Sequence, residues 1–340
     1  MVDLSLVLDF SLPVGLSDND IEAVYSHRHL PLLLGLMQWK TSGTAVVINS
    51  GLAQRWIDLG LDEGLDRLRE LFDFGRSEIL GTASHHAILP LVPENVAFRQ
   101  VRRNLRWTQQ ILHPEWRPAG FSPPELAYGH ELARVLLPLG FHWCLADDTA
   151  YAALHGEVPR DGLVRCGGLT WLLASRLWSQ RVSGLAAGQA EALARSHHQE
   201  LQGWMGERDG YQVLRVAAHM VDAEALLGYL RAMESAGNRW CHPSHLLHKY
   251  ALHEGEVPPG SARTPVEDFW NGAFFSPWRQ HSGEPAWQLS QRAILAMERV
   301  QDQLDELLTS STFEATSAAR LERLQRLVAW CEQGFGGDGG

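Results

Sequence analysis

The chain has 340 residues, 45% hydrophobic and 20% charged, with 40 acidic against 29 basic residues and a formal net charge of −11. This composition excludes a disordered protein, a coiled coil and a small disulfide scaffold, and leaves ample material for a large core. The acidic balance argues against nucleic acid as the main partner. The longest apolar runs, as at residues 30–36, are too short to span a bilayer, so no membrane partner is expected. Residues 1–4 lack the basic and apolar stretches of a secretory signal, which makes the cytoplasm the expected compartment. Four cysteines, at 144, 166, 241 and 331, show no Cys-x-x-Cys spacing and suggest neither a zinc knuckle nor a disulfide framework. Tryptophan, with 13 residues, outnumbers both phenylalanine and tyrosine; indoles stack on sugars and also fill cores.

Residues 4–10 form a near-continuous apolar run ending at Asp9 and Phe10, the pattern of a strand buried on both faces. Residues 18–39 read as a helix with Ser17 or Asp18 as N-cap, 45–49 as a second strand, 51–59 and 62–74 as helices, and 78–81 as a third strand. The helical period returns over 95–112. A brief strand at 120–121 precedes the loop Ser122-Pro123-Pro124-Glu125, a helix at 126–139 and a strand at 141–145. Residues 150–185 are less regular, with a possible strand at 169–173. A helix at 186–204, a strand at 212–217 and a helix at 223–234 follow. Short apolar strands alternating with helices predict an α/β fold with parallel strands. Residues 250–283 shift to Pro, Gly and aromatic composition. Two amphipathic helices at 287–308 and 315–330 then suggest a hairpin. The predicted organisation is a β/α barrel over 1–260, a C-terminal helical subdomain over 261–333 that completes the site, and a disordered tail at 334–340.

Reactive groups of parallel β/α folds gather at the C-terminal ends of strands. Asp9, Asn49, His85, His86, Glu125, Asp147, Asp148, His219 and Asp222 all fall at such places, which suggests acid/base chemistry on a polar substrate. Each has a structural alternative. Glu125 could be a carboxylate near a helix N-terminus after a proline, Asp222 the N-cap of the next helix, and His85 a buried histidine bonded to a backbone carbonyl. His86 reads as structural, and His27 and His29 as exposed on a helix. Trp270 and Trp278 lie in the irregular aromatic segment and could form subsite walls, whereas Trp56, Trp287 and Trp330 sit on predicted helices and read as core.

Four segments carry a resemblance. Residues 78–91, with Gly81-Thr82-Ala83-Ser84-His85-His86, are similar to the second conserved region of glycoside hydrolase family 57. Gly120-Phe121-Ser122-Pro123-Pro124-Glu125-Leu126-Ala127-Tyr128 resembles that family's nucleophile region, Val221-Asp222-Ala223-Glu224 its acid/base region, and residues 276–294, more loosely, the region opening its C-terminal helices. The segments come in the family's order and span roughly residues 3–305. The resemblance implies a (β/α)7-type barrel and a retaining enzyme cleaving or transferring α-glucosidic bonds in α-glucans. Glu125 would be the nucleophile and Asp222 the acid/base, with Asp9, His85, Asp148, Trp270 and Trp278 against the substrate. Two-carboxylate chemistry needs no metal and no organic cofactor. The expected partner is therefore an oligo- or polysaccharide, and the oligomeric state is left open.

The sequence also departs from the family. Asp9-Phe10-Ser11-Leu12-Pro13 stands where the family usually carries His-x-His-Gln-Pro, Ser122 where a tryptophan often precedes the nucleophile, and Tyr229 where a histidine is frequent. Two other readings compete with the α-glucan enzyme. A metal-dependent polysaccharide deacetylase on a related barrel would use Asp9 and His85, although the neighbouring aspartate pair and His-x-x-x-His spacing are missing. A catalytically silent glycan-binding protein would explain the altered first motif.

Overall fold

The computed structural model describes residues 2–12, 16–39, 43–206 and 208–279. The strands are β1 (Val2–Asp9), β2 (Thr44–Val47), β3 (Ser77–Leu80), β4 (Gly120–Phe121), β5 (Trp143–Asp147), β6 (Gly162–Cys166), β7 (Leu169–Ala174), β8 (Gly210–Ala217), β9 (Arg239–Trp240) and β10 (Ala251–Glu254). Parallel pairings run from β1 to β2 to β3. They cross to β4 through the Gly81–Phe121 bridge and continue through β5, β7 and β8, which pairs along its whole length with β1. The pairings thus return to their starting strand, a ring of seven parallel strands. β6 lies antiparallel to β7, and β10 parallel to β6, outside that ring.

Alternation along the strands sorts the side chains. Leu4, Leu6 and Leu8 of β1 join Leu214 and Val216 of β8 in a cluster with the helices Leu30–Gln38 and Ala223–Ser235. Val7, Val47, Leu80, Leu145, Leu172 and Val213 pack together on the other side, inside the ring. Asp3, Ser5 and Asp9 share the phase of Val7, so β1 carries polar groups at both ends of its inner face. At the lower end Asp3 is locked by Arg239, Lys249 and Tyr250; at the upper end Asp9 opens the mouth.

The expected parallel architecture and most of its elements are borne out, with physically explicable differences. The helix expected at 126–139 is α-helical only over Leu132–Leu136, because Glu125 and Leu126 adopt left-handed backbone and Tyr128 is bridged to Gly260. β5 ends at Asp147 rather than 145, and Asp147 caps the helix Asp148–His155 through Thr149 N. The region read as irregular contains the β6–β7 hairpin, turned by Gly167 and Gly168, both at positive φ. Within the helical stretch 18–38, residues Tyr25–His29 are π-helical. The extra residue in that turn rotates the face, and His29, expected to be exposed, is fully buried beside Phe10 and Trp56. Trp56 is fully buried, as expected. The predicted hairpin at 287–330, with Trp287 and Trp330, and the tail at 334–340 lie outside the described residues. No helix among the described residues is long and apolar enough to cross a membrane.

Candidate active site

The loop after β4 presents Glu125. Pro123 fixes an extended approach, and Glu125 then adopts φ 55°, ψ 21°, followed by Leu126 at φ 51°. His86, after β3, has φ 56°. These are the non-glycine residues with positive φ among those described, and they meet at one place. Such backbone costs about 1–3 kcal/mol per residue and persists where surrounding bonds over-determine it. Here Leu126 N and Ala127 N donate to the carbonyls of Pro123 and Pro124, Ala262 N donates to the Glu125 carbonyl at 2.9 Å, and Tyr128 and Gly260 exchange bonds at 2.8 and 3.0 Å. The conformation aims the Glu125 side chain into the cluster rather than along a helix start, so the helix-terminus reading of this residue does not hold.

The Glu125 carboxylate, 17% exposed, lies 3.4 Å from His86 Nε2. It accepts from Arg263 Nε at 3.0 Å and Nη2 at 3.2 Å. Burial alone would raise its pKa, but the His86 bond and the charges of Arg215, His86 and Arg263 outweigh it and bring the group down to about 2. Asp9 is buried, accepts from Ser11 N at 2.8 Å and is ion-paired to Arg215 of β8. Burial opposes ionisation here too, and Arg215, His86 and the bond from Ser11 N hold the carboxyl below the usual range. His219, after β8, feels Asp9, Arg215, Glu125 and His86 together, and burial keeps it below the ordinary histidine value. Four separate loops and strands therefore converge on Glu125.

Asp222 sits on the same loop as His219. It caps the helix Ala223–Ser235, one oxygen accepting from Ala225 N at 3.0 Å, while the other faces Arg28 at 3.7 Å. The capping role anticipated for it is what the structure shows; its side chain is 44% exposed. His85 does not touch Glu125. Its Nδ1 pairs with Ser84 Oγ at 2.9 Å and its backbone N donates to Gln100, and burial with nearby Arg103 lowers its pKa to about 4. It is His86, read from sequence as structural, that reaches the carboxylate. Asp148 accepts from Arg176 N at 3.0 Å; burial and the adjacent Asp147 charge push it up to about 6. Trp270 stands 70% exposed on the short helix Val266–Trp270. Trp278 lies in the short helix Ser276–Arg279.

Arginines are what the sequence reading missed. Arg215, Arg263, Arg176 and Arg28 each meet a carboxylate, yet no motif marks them; Arg263 and Glu125 are 138 residues apart. Several buried polar atoms in these segments have no partner: Ser11 Oγ, His86 Nδ1, Ser122 Oγ, Arg215 Nε, His219 Nδ1 and both nitrogens of His29. Buried donors and acceptors without partners are costly. Among the described residues, no group of three His, Cys, Asp or Glu side chains is placed to hold a metal ion.

Comparison with known proteins bears out the resemblance drawn from the sequence. The family profile described as Glycosyl hydrolase family 57 matches residues 16–170. An alpha-amylase of Pyrococcus horikoshii is 24% identical over 136 residues, 40% of this chain and 21% of that protein. The 4-alpha-glucanotransferase of Thermococcus litoralis superposes with a TM-score of 0.68 at 15% identity, over 88% of this chain and 53% of that one. A GH57 branching enzyme of Thermococcus kodakaraensis gives 0.69 at 14% identity, over 98% and 85%. These structural likenesses establish the fold. The chain spans about a fifth of the amylase and about half of the glucanotransferase.

Proposed function

We propose that this chain, which carries the glycosyl hydrolase family 57 profile over residues 16–170, is a retaining enzyme that cleaves or transfers α-glucosidic bonds in α-glucans. The observation that carries the reading is Glu125: an ionised, largely buried carboxylate on strained backbone at the mouth of a parallel barrel, held by His86 and Arg263. Glu125 attacks the anomeric carbon, and Asp222 protonates the departing oxygen and then deprotonates the water or sugar hydroxyl that resolves the glycosyl-enzyme. Asp9, His85, Asp148, Trp270 and Trp278 are proposed as substrate contacts, Trp270 through its exposed indole face.

The test is incubation with maltooligosaccharides, with products separated by chromatography and their anomeric configuration followed by proton NMR. Retention of configuration is expected, and Glu125→Gln should form no product. Identical product profiles from both proteins would refute the assignment. One observation favours a second reading. Arg263 touches both oxygens of Glu125, as a glycan-binding protein without turnover could permit; calorimetric sugar binding with no turnover at any pH would select it.

A further inference from the structure

We propose that Arg176 and Arg263 are positioning residues for Glu125: Arg176, anchored on Asp147, fixes the turn at 261–264, and that turn lays the Arg263 guanidinium along both carboxylate oxygens. The inference deepens the enzymatic reading and rests on it for its catalytic consequence alone.

The anchor is a buried ion pair. The Asp147 side chain is 1% exposed and that of Arg176 15%. Arg176 Nε lies 3.0 and 2.9 Å from the two oxygens of Asp147, and Nη2 lies 2.6 Å from Oδ1. Nη1 donates to the carbonyl of Thr264, and Nη2 also donates to that of Ser261, each at 2.7 Å. An arginine fork suits this task because one rigid plane serves a carboxylate on one side and two backbone acceptors on the other. The turn is braced from within as well. Ser261 Oγ and Thr264 Oγ1 lie 2.9 Å apart, Arg263 N donates to Ser261 Oγ at 3.3 Å, and Thr264 Oγ1 donates to the Phe274 carbonyl at 2.5 Å.

That rigidity matters because the Arg263 side chain is 64% exposed. A long side chain in water gains little from a surface ion pair after its rotamer entropy is counted. On a fixed turn the backbone share of that cost is already met. The turn also grips Glu125 twice, through Ala262 N on its carbonyl and Arg263 on its carboxylate. Asp147 at the end of β5 and Glu125 after β4 are thereby connected through Arg176, 29 positions from Asp147, and a turn whose Arg263 lies 138 positions from Glu125.

The experiment is a 13C NMR titration of glutamate side-chain carboxyls in the full chain, with the Glu125 resonance assigned by Glu125→Gln. In Arg263→Ala the Glu125 midpoint should rise by about 1–3 units, the span expected when a close opposite charge is removed. Arg263→Lys should fall between the two, since an ammonium supplies charge without the fork. Arg176→Lys, remote from Glu125, should raise the midpoint in the same direction. Ser261→Ala, which loosens the turn and leaves the buried pair intact, should do so to a smaller degree and decides the matter if Arg176→Lys does not fold. The acid limb of kcat/KM on maltooligosaccharides should move with each midpoint. An unmoved midpoint in Arg263→Ala overturns the proposal. Movement in Arg263→Ala with none in Arg176→Lys or Ser261→Ala overturns the role of Arg176. The expected shifts in a protein that turns over no α-glucan support the positioning and sink the enzymatic reading instead.

Discussion

Replacing Arg215 by methionine leaves Asp9 buried without its cation. The two side chains are 11% and 4% exposed, which places the pair among buried ion pairs, where loss of one partner costs about 3–5 kcal/mol. At about 1.4 kcal/mol per decade, that is two or more orders of magnitude in the folding equilibrium. The penalty carries a pH signature. In the native protein the Asp9 pKa is lowered, so its contribution is complete above the unfolded value of about 3.9 and is lost as pH falls through the folded value. Without Arg215, burial dominates and the folded pKa rises above the unfolded one. The variant's deficit is then largest where Asp9 must be ionised and shrinks as acid neutralises it. Urea unfolding of both proteins at pH 7.5 and pH 5 should show the larger gap at pH 7.5. Asp9→Leu combined with Arg215→Met removes both charges and should recover most of the loss. A deficit below about 1 kcal/mol, typical of surface pairs, or one that does not vary with pH, would refute this reasoning.

Asp222→Asn keeps the side-chain acceptor for Ala225 N and should match the native stability, whereas Asp222→Ala should lose about 1 kcal/mol of capping energy. If Asp222 is the acid/base, both variants lose turnover; full activity in Asp222→Asn would end that assignment. Asp148 has a raised pKa of about 6, so its ionisation opposes folding and the cost grows as pH rises from the unfolded value through 6. Asp148→Asn retains an acceptor for Arg176 N and should be more stable than the native chain at pH 8, with the gain vanishing near pH 4. A gain in midpoint denaturant concentration that is equal at both pH values would count against it.

Much of the barrel is legible in the sequence for a simple reason. Strands buried on both faces are short, continuous apolar runs, and β1, β2, β5 and β8 announce themselves that way. Glu125 stands out in the sequence through the resemblance of Gly120–Tyr128 to a family segment, since its residue types alone equally fit a carboxylate near a helix start. The Gly167-Gly168 pair is a local signal for the turn of the β6–β7 hairpin, since both residues take positive φ. His29 was not readable, since a π-helical turn shifts the face of an otherwise regular helix and no residue type encodes that shift.

The amino-acid sequence by itself determined the alternation of strands and helices, which follows from local pattern, and through its resemblance to a family segment it singled out the carboxylate Glu125 at a strand end. The tertiary structure alone decided what surrounds that carboxylate. Closure of the strand ring sets Arg215 of β8 beside Asp9 of β1, and return of the chain after β10 sets Arg263 on Glu125 and Arg176 beneath the turn that carries it. Local pattern carries no trace of these pairings, because each arginine finds its carboxylate across tens to hundreds of residues. Coulomb attraction and desolvation act on distance in space, and distance in space is set when the barrel closes.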